Sequence, residues 1–289
     1  MFKAKPHALL VPYDGEFDPR EAPTQPQHEK NKGEHWKDLL DEQVKALGDA
    51  QYRLYADGRY ALLLVFQALD GAGKDSTIRH VFAGVNPNGL VVTSFKQPSA
   101  HEAAHDFLWR TSACLPERGS VGVFNRSYYE EVIVVRVHPQ FLATQRQPVQ
   151  PTPEFWADRY RAIADHERHL AEQGTVILKF WLNISRDEQQ KRLLDRIENP
   201  SKNWKFNPGD LDERDRWNDY LAAYHDCLKA TSRPWAPWYA IPADNKHYMQ
   251  WQVAKLVNEA LEQLDVQFPR PDATTTSKLA QYKTRLLAS

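Results

Sequence analysis

Apolar positions along the chain change their period several times, and each change marks an element. Between residues 34 and 55, Trp36, Leu39, Leu40, Val44, Leu47 and Leu54 recur at helical spacing, which predicts a helix with one docking face. Residues 60–67 (YALLLVFQ) are continuously apolar, the pattern of a strand covered on both faces. A Gly-rich turn and a helix over 74–83 follow. Next come a β-branched strand at 90–95, an amphipathic stretch at 100–113 and a short strand at 120–124. A long helix over 153–173 runs through Gly174 into a strand at 175–184 (TVILKFWLNI), and a helix is predicted over 186–198. The polar segment 199–210 (NPSKNWKFNPGD) interrupts the helical pattern, which resumes over 211–230. A strand at 238–242 and a helix at 246–264 close the series. Strands alternating with helices specify an α/β fold, a parallel sheet with helices on both faces.

The flanks differ from this core. Residues 1–33 are rich in Pro, Gln and charge with little periodicity, and read as an extended arm able to dock on the domain or on another subunit, or as a partly ordered tail. Residues 266–289 read as a C-terminal tail. The expected organisation is therefore arm 1–33, one domain over 34–265 and tail 266–289. Within the domain the basic break forms a lid at about 186–212, with a plain solvated connection as the alternative.

Charge narrows the partners. The 289 residues carry 37 Lys and Arg against 38 Asp and Glu, a formal net charge of -1, so the chain is no bulk polycation for nucleic acid or membrane. Any polyanion must be met by a local patch. No apolar run approaches the roughly 18 residues of a membrane span. Two distant cysteines, Cys114 and Cys227, offer no disulfide framework, and the N-terminus has no sustained hydrophobic segment; both fit a cytoplasmic protein.

The strongest local chemistry lies between the first strand and its helix: Ala68-Leu69-Asp70-Gly71-Ala72-Gly73-Lys74-Asp75-Ser76. A tight turn of small residues opening a helix directs backbone N–H groups and the positive helix end at phosphate oxygens, and Lys74 reaches the bound phosphates. Ala68 replaces the first glycine of the usual phosphate loop, and Asp75 stands where a Ser or Thr normally holds the metal. Asp70 would repel phosphates unless it held Mg²⁺ or oriented the attacking group.

A second cluster ends the 120–124 strand, where Asn125 replaces the usual acid and Arg126 and Glu130 follow. Arg126 suits bidentate phosphate contact, with a structural ion pair as its alternative role. Further on, Arg186, Lys191, Arg192 and Arg196 are interleaved with acids and read mostly as a solvated, ion-paired face. Lys202 and Lys205 flank Trp204 with no acid before Asp210, which suits a phosphate clamp on the lid. His101 and His105 read as exposed polar residues rather than metal ligands, and Trp235 and Trp238 as a rigid turn on the core.

Together these segments resemble the polyphosphate kinase 2 family of P-loop phosphotransferases. The first motif is similar to GxDxxGK, and Phe124-Asn125-Arg126-Ser127-Tyr128-Tyr129 to F(D/N)RSxY. Asn203-Trp204-Lys205, Ala236-Pro237-Trp238 and Asp244-Asn245-Lys246 extend the similarity over most of 34–265. The stretch from Asn125 to Pro139 is most similar to the class III branch, which accepts AMP as well as ADP.

The resemblance implies a P-loop-kinase-like three-layer α/β/α sandwich and Mg²⁺-dependent, reversible transfer of a terminal phosphoryl group. The donor is inorganic polyphosphate; ADP is converted to ATP and AMP to ADP. It further implies a homo-oligomer with no nucleic-acid or membrane partner. Asp70, Lys74, Asn125 and Arg126 would be catalytic, with Asp70, Asn125 and Glu130 at the metal. Gly71, Ala72, Gly73, Asp75, Ser76, Arg136, Arg196, Lys202 and Lys205 would bind nucleotide or phosphate. Two alternatives remain at this stage: an ATP-dependent nucleoside or nucleotide monophosphate kinase, and a non-catalytic binding protein.

Overall fold

A computed structural model describes residues 1–26, 34–145 and 151–288. The continuous apolar run becomes β1 (Ala61–Ala68), buried on both faces. In chain order the elements are α1 (Glu34–Asp57), β1, α2 (Lys74–Val81), β2 (Leu90–Ser94), α3 (Ala100–Ala103), α4 (Trp109–Ser112), β3 (Val121–Asn125) and α5 (Val134–Val137). They continue with α6 (Pro153–Glu172), β4 (Thr175–Asn183), α7 (Arg186–Glu198), α8 (Gly209–Asp215), α9 (Trp217–Thr231), β5 (Trp238–Pro242), α10 (Lys246–Gln263) and α11 (Ala273–Leu287). Several starts are fixed by local chemistry. Thr152 accepts a hydrogen bond from Phe155 N with Pro153 in the first turn of α6, Ser185 caps α7 through Glu188 N, and Asn245 caps α10 through Tyr248 N.

The sheet order is β2-β3-β1-β4-β5, and every pairing is parallel. Alternation along each strand divides the core in two. Leu62, Leu64 and Phe66 of β1 with Leu178 and Phe180 of β4 pack against α1, α2 and α10. Leu63, Val65, Ile177 and Trp181 face α5, α6 and α9 on the opposite side. Helices therefore cover both faces, as the alternation of elements requires. The chain leaves β1 toward one edge and β3 toward the other, so a crevice opens at the carboxyl ends of these two adjacent strands.

Three segments differ from the sequence expectation. The 100–113 stretch is two short helices: a Ser99/Glu102 capping box opens α3, and after it Asp106 accepts from Leu108 N to turn the chain into α4. The 211–230 helix breaks at Arg216 into α8 and α9. The tail contains α11, capped by Asp272 and with no buried residue. The arm docks on its own domain: Val11 N donates to Trp238 O and Ala240 N to Leu9 O, an antiparallel addition at the β5 edge. Its last part, residues 27–33, lies outside the described residues.

Candidate active site

The crevice between β1 and β3 gathers both sequence motifs. Gly71 and Gly73 have φ of 86° and 103°, left-handed values that glycine adopts without penalty. A Cβ on Gly73 would sit 3.3 Å from both Met249 Cε and Ser76 Oγ, a tight fit that adds to the backbone penalty. Gly73 caps α2, and Thr77 N→Gly73 O closes the first helical turn. The N–H groups of Lys74, Asp75 and Ser76 precede that bond and have no intrahelical acceptor, which makes the turn an anion cradle. Ser76 Oγ and Thr77 Oγ1 both turn back to donate to Gly73 O, so the cradle offers backbone rather than hydroxyl donors.

Lys74 is buried and folds over the loop, its Nζ donating to Ala68 O at 2.7 Å. Burial and then the neighbouring Arg126 cation push its pKa below the usual lysine value, while Asp70, Glu130 and Asp75 oppose the shift.

Arg126 leaves β3 with φ 64°, one of two described non-glycine residues at positive φ. Such a conformation costs roughly 1 kcal/mol or more and persists only where the surroundings impose it. Its guanidinium bridges the two motifs, Nη2 donating to Asp70 Oδ1 and Nη1 to Glu130 Oε2, each at 3.0 Å. Glu130 first, then Asp70, raises the pKa of Arg126 and holds it charged. The ion pair weighed from the sequence as the alternative role of Arg126 is thus present, with Asp70 and Glu130 as its two partners.

At the neighbouring strand end, Asn125 Nδ2 donates to Asp75 Oδ1 at 2.6 Å. The amide oxygen of Asn125 and the carboxylates of Asp70 and Asp75 form a hard-oxygen donor set. Among the described residues no cluster of three or more His, Cys, Asp or Glu could cage a metal. One or two carboxylates plus substrate phosphates is the usual Mg²⁺ arrangement, and these residues fit it. Glu130 is engaged otherwise: its Oε1 accepts from Gln67 Nε2 and its Oε2 from Arg126, so in this arrangement it serves the arginine.

The lid residues need two corrections. Lys202 was expected to lack an acidic partner, yet its Nζ lies 2.9 and 2.6 Å from the two Asp195 oxygens one turn back in α7. Lys205 rests over Trp204, 5.1 Å from the ring centroid. Arg196 pairs with Asp210 at 2.9 Å. Burial and then Asp70 raise the pKa of Asp210, which brings this pair into the field of the phosphate loop.

The second correction concerns Arg192, read from sequence as part of a solvated face. It is buried, and its Nη1 donates to Gly71 O and Ala72 O while Nη2 donates to Ala243 O and Asp244 O. Gln189 Nε2 adds a bond to Asp70 O. The first two turns of α7 are thus fastened to the loop. Arg136 stands apart. It donates to Tyr160 OH and pairs with Asp226, and it lines a separate open cavity of about 600 Å³ with Trp156 and Lys229.

His105 stacks on Trp109 with ring centroids 4.0 Å apart beside His101, and Trp238 is fully buried in β5.

A sequence model described as polyphosphate kinase 2 matches residues 29–269. An ADP-polyphosphate phosphotransferase of Rhodopseudomonas palustris is 51% identical over 256 residues, 88% of this chain and 89% of that protein. An AMP/ADP-polyphosphate phosphotransferase of Meiothermus ruber is 46% identical over 231 residues, covering 80% and 83% of the two chains. The crystal structure of polyphosphate kinase 2 from Arthrobacter aurescens superposes with a TM-score of 0.89 at 37% identity, covering 100% of this chain and 99% of that one.

Proposed function

The chain belongs to the polyphosphate kinase 2 family, and on that premise we propose that it transfers the terminal phosphoryl group of inorganic polyphosphate to ADP and AMP. The observation that carries the reading is the guanidinium of Arg126 poised between Asp70 and Glu130 beside the α2 cradle. Terminal phosphates of the polymer bind to the Lys74–Ser76 N–H groups and to Lys74. Their charge draws Arg126 from its carboxylates onto the equatorial oxygens of the moving group, where positive charge lowers the barrier.

The bond between the terminal phosphorus and its bridging oxygen breaks, and a new P–O bond forms to a phosphate oxygen of the acceptor. That oxygen is already ionised at neutral pH, so no general base is required. An asparagine at the end of β3 is therefore chemically sufficient, which answers the case for a non-catalytic protein. Asp70, Asp75 and Asn125 would hold Mg²⁺, which supplies charge neutralisation of the phosphate oxygens and alignment of donor with acceptor. Arg196, Lys202 and Lys205 on the lid neutralise the outlying polymer.

ATP is then the product from ADP, and ADP the product from AMP. A cytoplasmic, self-associating protein without nucleic-acid or membrane partners completes the reading. The two free cysteines fit a reducing compartment, and among the described residues no helix is long and apolar enough to cross a membrane. Incubation with Mg²⁺, polyphosphate and AMP or ADP, without added ATP donor, should yield ADP and ATP. Product formed only from an ATP donor would replace this reading with a monophosphate kinase.

A further inference from the structure

Lys179 breaks the pattern of an otherwise apolar central strand, and it is wholly buried. Its Nζ donates to Glu167 Oε2 at 2.6 Å, to Tyr129 OH at 2.8 Å and to Thr231 O at 2.8 Å, which uses all three ammonium hydrogens. Glu167, equally buried on α6, accepts through Oε1 from both Tyr128 OH and Tyr129 OH at 2.8 Å. The ammonium also lies 5.2 Å from the ring centroids of Tyr129 and Trp238. The network is closed. Buried ion pairs of this kind contribute little net stability compared with apolar packing, so stability alone does not account for it.

Its location does. Tyr128 and Tyr129 open the 3₁₀ turn Tyr128–Glu131, immediately after Arg126 and Ser127. The two phenols point into the core while Glu130, next in the turn, holds the Arg126 guanidinium on the crevice side. Glu131 is tied to Arg159, so α6 grips the turn at both ends.

We propose that Glu167 and Lys179, acting through Tyr128 and Tyr129, are positioning residues that hold Glu130 and the left-handed Arg126 in register with Asp70. The effect on turnover rests on the phosphotransferase reading given above. Ground-state phosphate is held mainly by the α2 cradle, whereas Arg126 acts on the moving group. Loosening the turn should therefore lower kcat more than it raises KM.

The test compares Tyr128→Phe, Tyr129→Phe and the double variant Glu167→Met/Lys179→Met, which replaces the pair by apolar side chains of similar length. In Tyr129→Phe and the double variant, kcat should fall by about tenfold or more with KM for polyphosphate within about threefold. Both should still unfold cooperatively. The Nε–Hε resonance of Arg126, assigned by comparison with Arg126→Lys, should shift or split in the same variants. Wild-type kcat with an unmoved Arg126 resonance would overturn the proposal. If the double variant does not fold, Tyr129→Phe, which lacks one hydroxyl of the network, decides it. If the wild type turns over no polyphosphate, the functional reading fails, and the Arg126 resonance still decides the positioning role.

Discussion

Replacing Arg192 by methionine should damage stability and catalysis together. The side chain is buried and serves four carbonyls of two loops, while its Nε donates to Glu188 Oε1 at 2.9 Å. Bonds from a charged donor contribute about 1.5–3 kcal/mol each, but four such terms overcount, since released carbonyls recover some hydration as the loops relax. The cost of removing one partner from a buried charged contact, about 3–5 kcal/mol, is the better bracket. Urea unfolding should therefore show a loss of unfolding free energy of that size, read as a lowered midpoint at unchanged m-value. The phosphate loop, released from Nη1, should sample other conformations of Gly71 and Gly73, lowering kcat/KM by about tenfold or more. Arg192→Lys should recover less than half of the stability. Nη1 serves Gly71 and Ala72 while Nη2 serves Ala243 and Asp244, and a single ammonium cannot reach both pairs. A stability loss below about 1 kcal/mol, or full rescue by lysine, would refute the clamp.

Lys74→Ala and Asp70→Asn should each abolish phosphoryl transfer in the ATP-free assay, and retained turnover in either removes that residue from the mechanism. Burial and Arg126 lower the pKa of Lys74, so in the free enzyme the cation is lost as pH rises through a value below the ordinary lysine pKa of about 10.4. The alkaline limb of kcat/KM should follow that lowered value. The limb of kcat should lie higher, because bound phosphate restores the cation; coincident limbs would contradict the assignment.

The sheet and the phosphate loop were legible because their causes are local: a continuous apolar run, and glycines at a strand-to-helix turn. Arg192 was not, because its spacing to Glu188 fits an exposed i,i+4 pair equally well. The guanidinium does make that bond through Nε, and uses its other two nitrogens on loops about 50 and 120 residues away. Spacing along one helix cannot report such a two-sided contact. Lys202 failed for a related reason, since its partner Asp195 lies behind it across the end of α7 rather than ahead in the loop. Lys179 did leave a signal: period two places it on the same face as Ile177 and Trp181, where a cation needs a buried partner. Nothing in the sequence names Glu167 as that partner.

The near-neutral chain acquires a definite meaning in the crevice. Asp70, Asp75 and Glu130 there face Lys74 and Arg126, so carboxylates outnumber cations by one before any ligand arrives. A polyanion without its divalent cation meets a site of its own sign, and Asp75 at the mouth of α2 is the most exposed contributor. Asp75→Asn is isosteric and can still accept from Asn125 Nδ2. For an assumed separation of roughly 7 Å in largely solvated surroundings, removing one charge amounts to about 0.6 kcal/mol against a single phosphate charge. Calorimetric titration of tripolyphosphate in chelator should therefore show the variant binding about threefold more tightly than the wild type. With Mg²⁺ present the order should reverse, since a carboxylate oxygen facing the cation has been lost. Unchanged or weaker metal-free affinity in Asp75→Asn would mean that the acids of the crevice do not repel the polymer, and that its charge is met elsewhere.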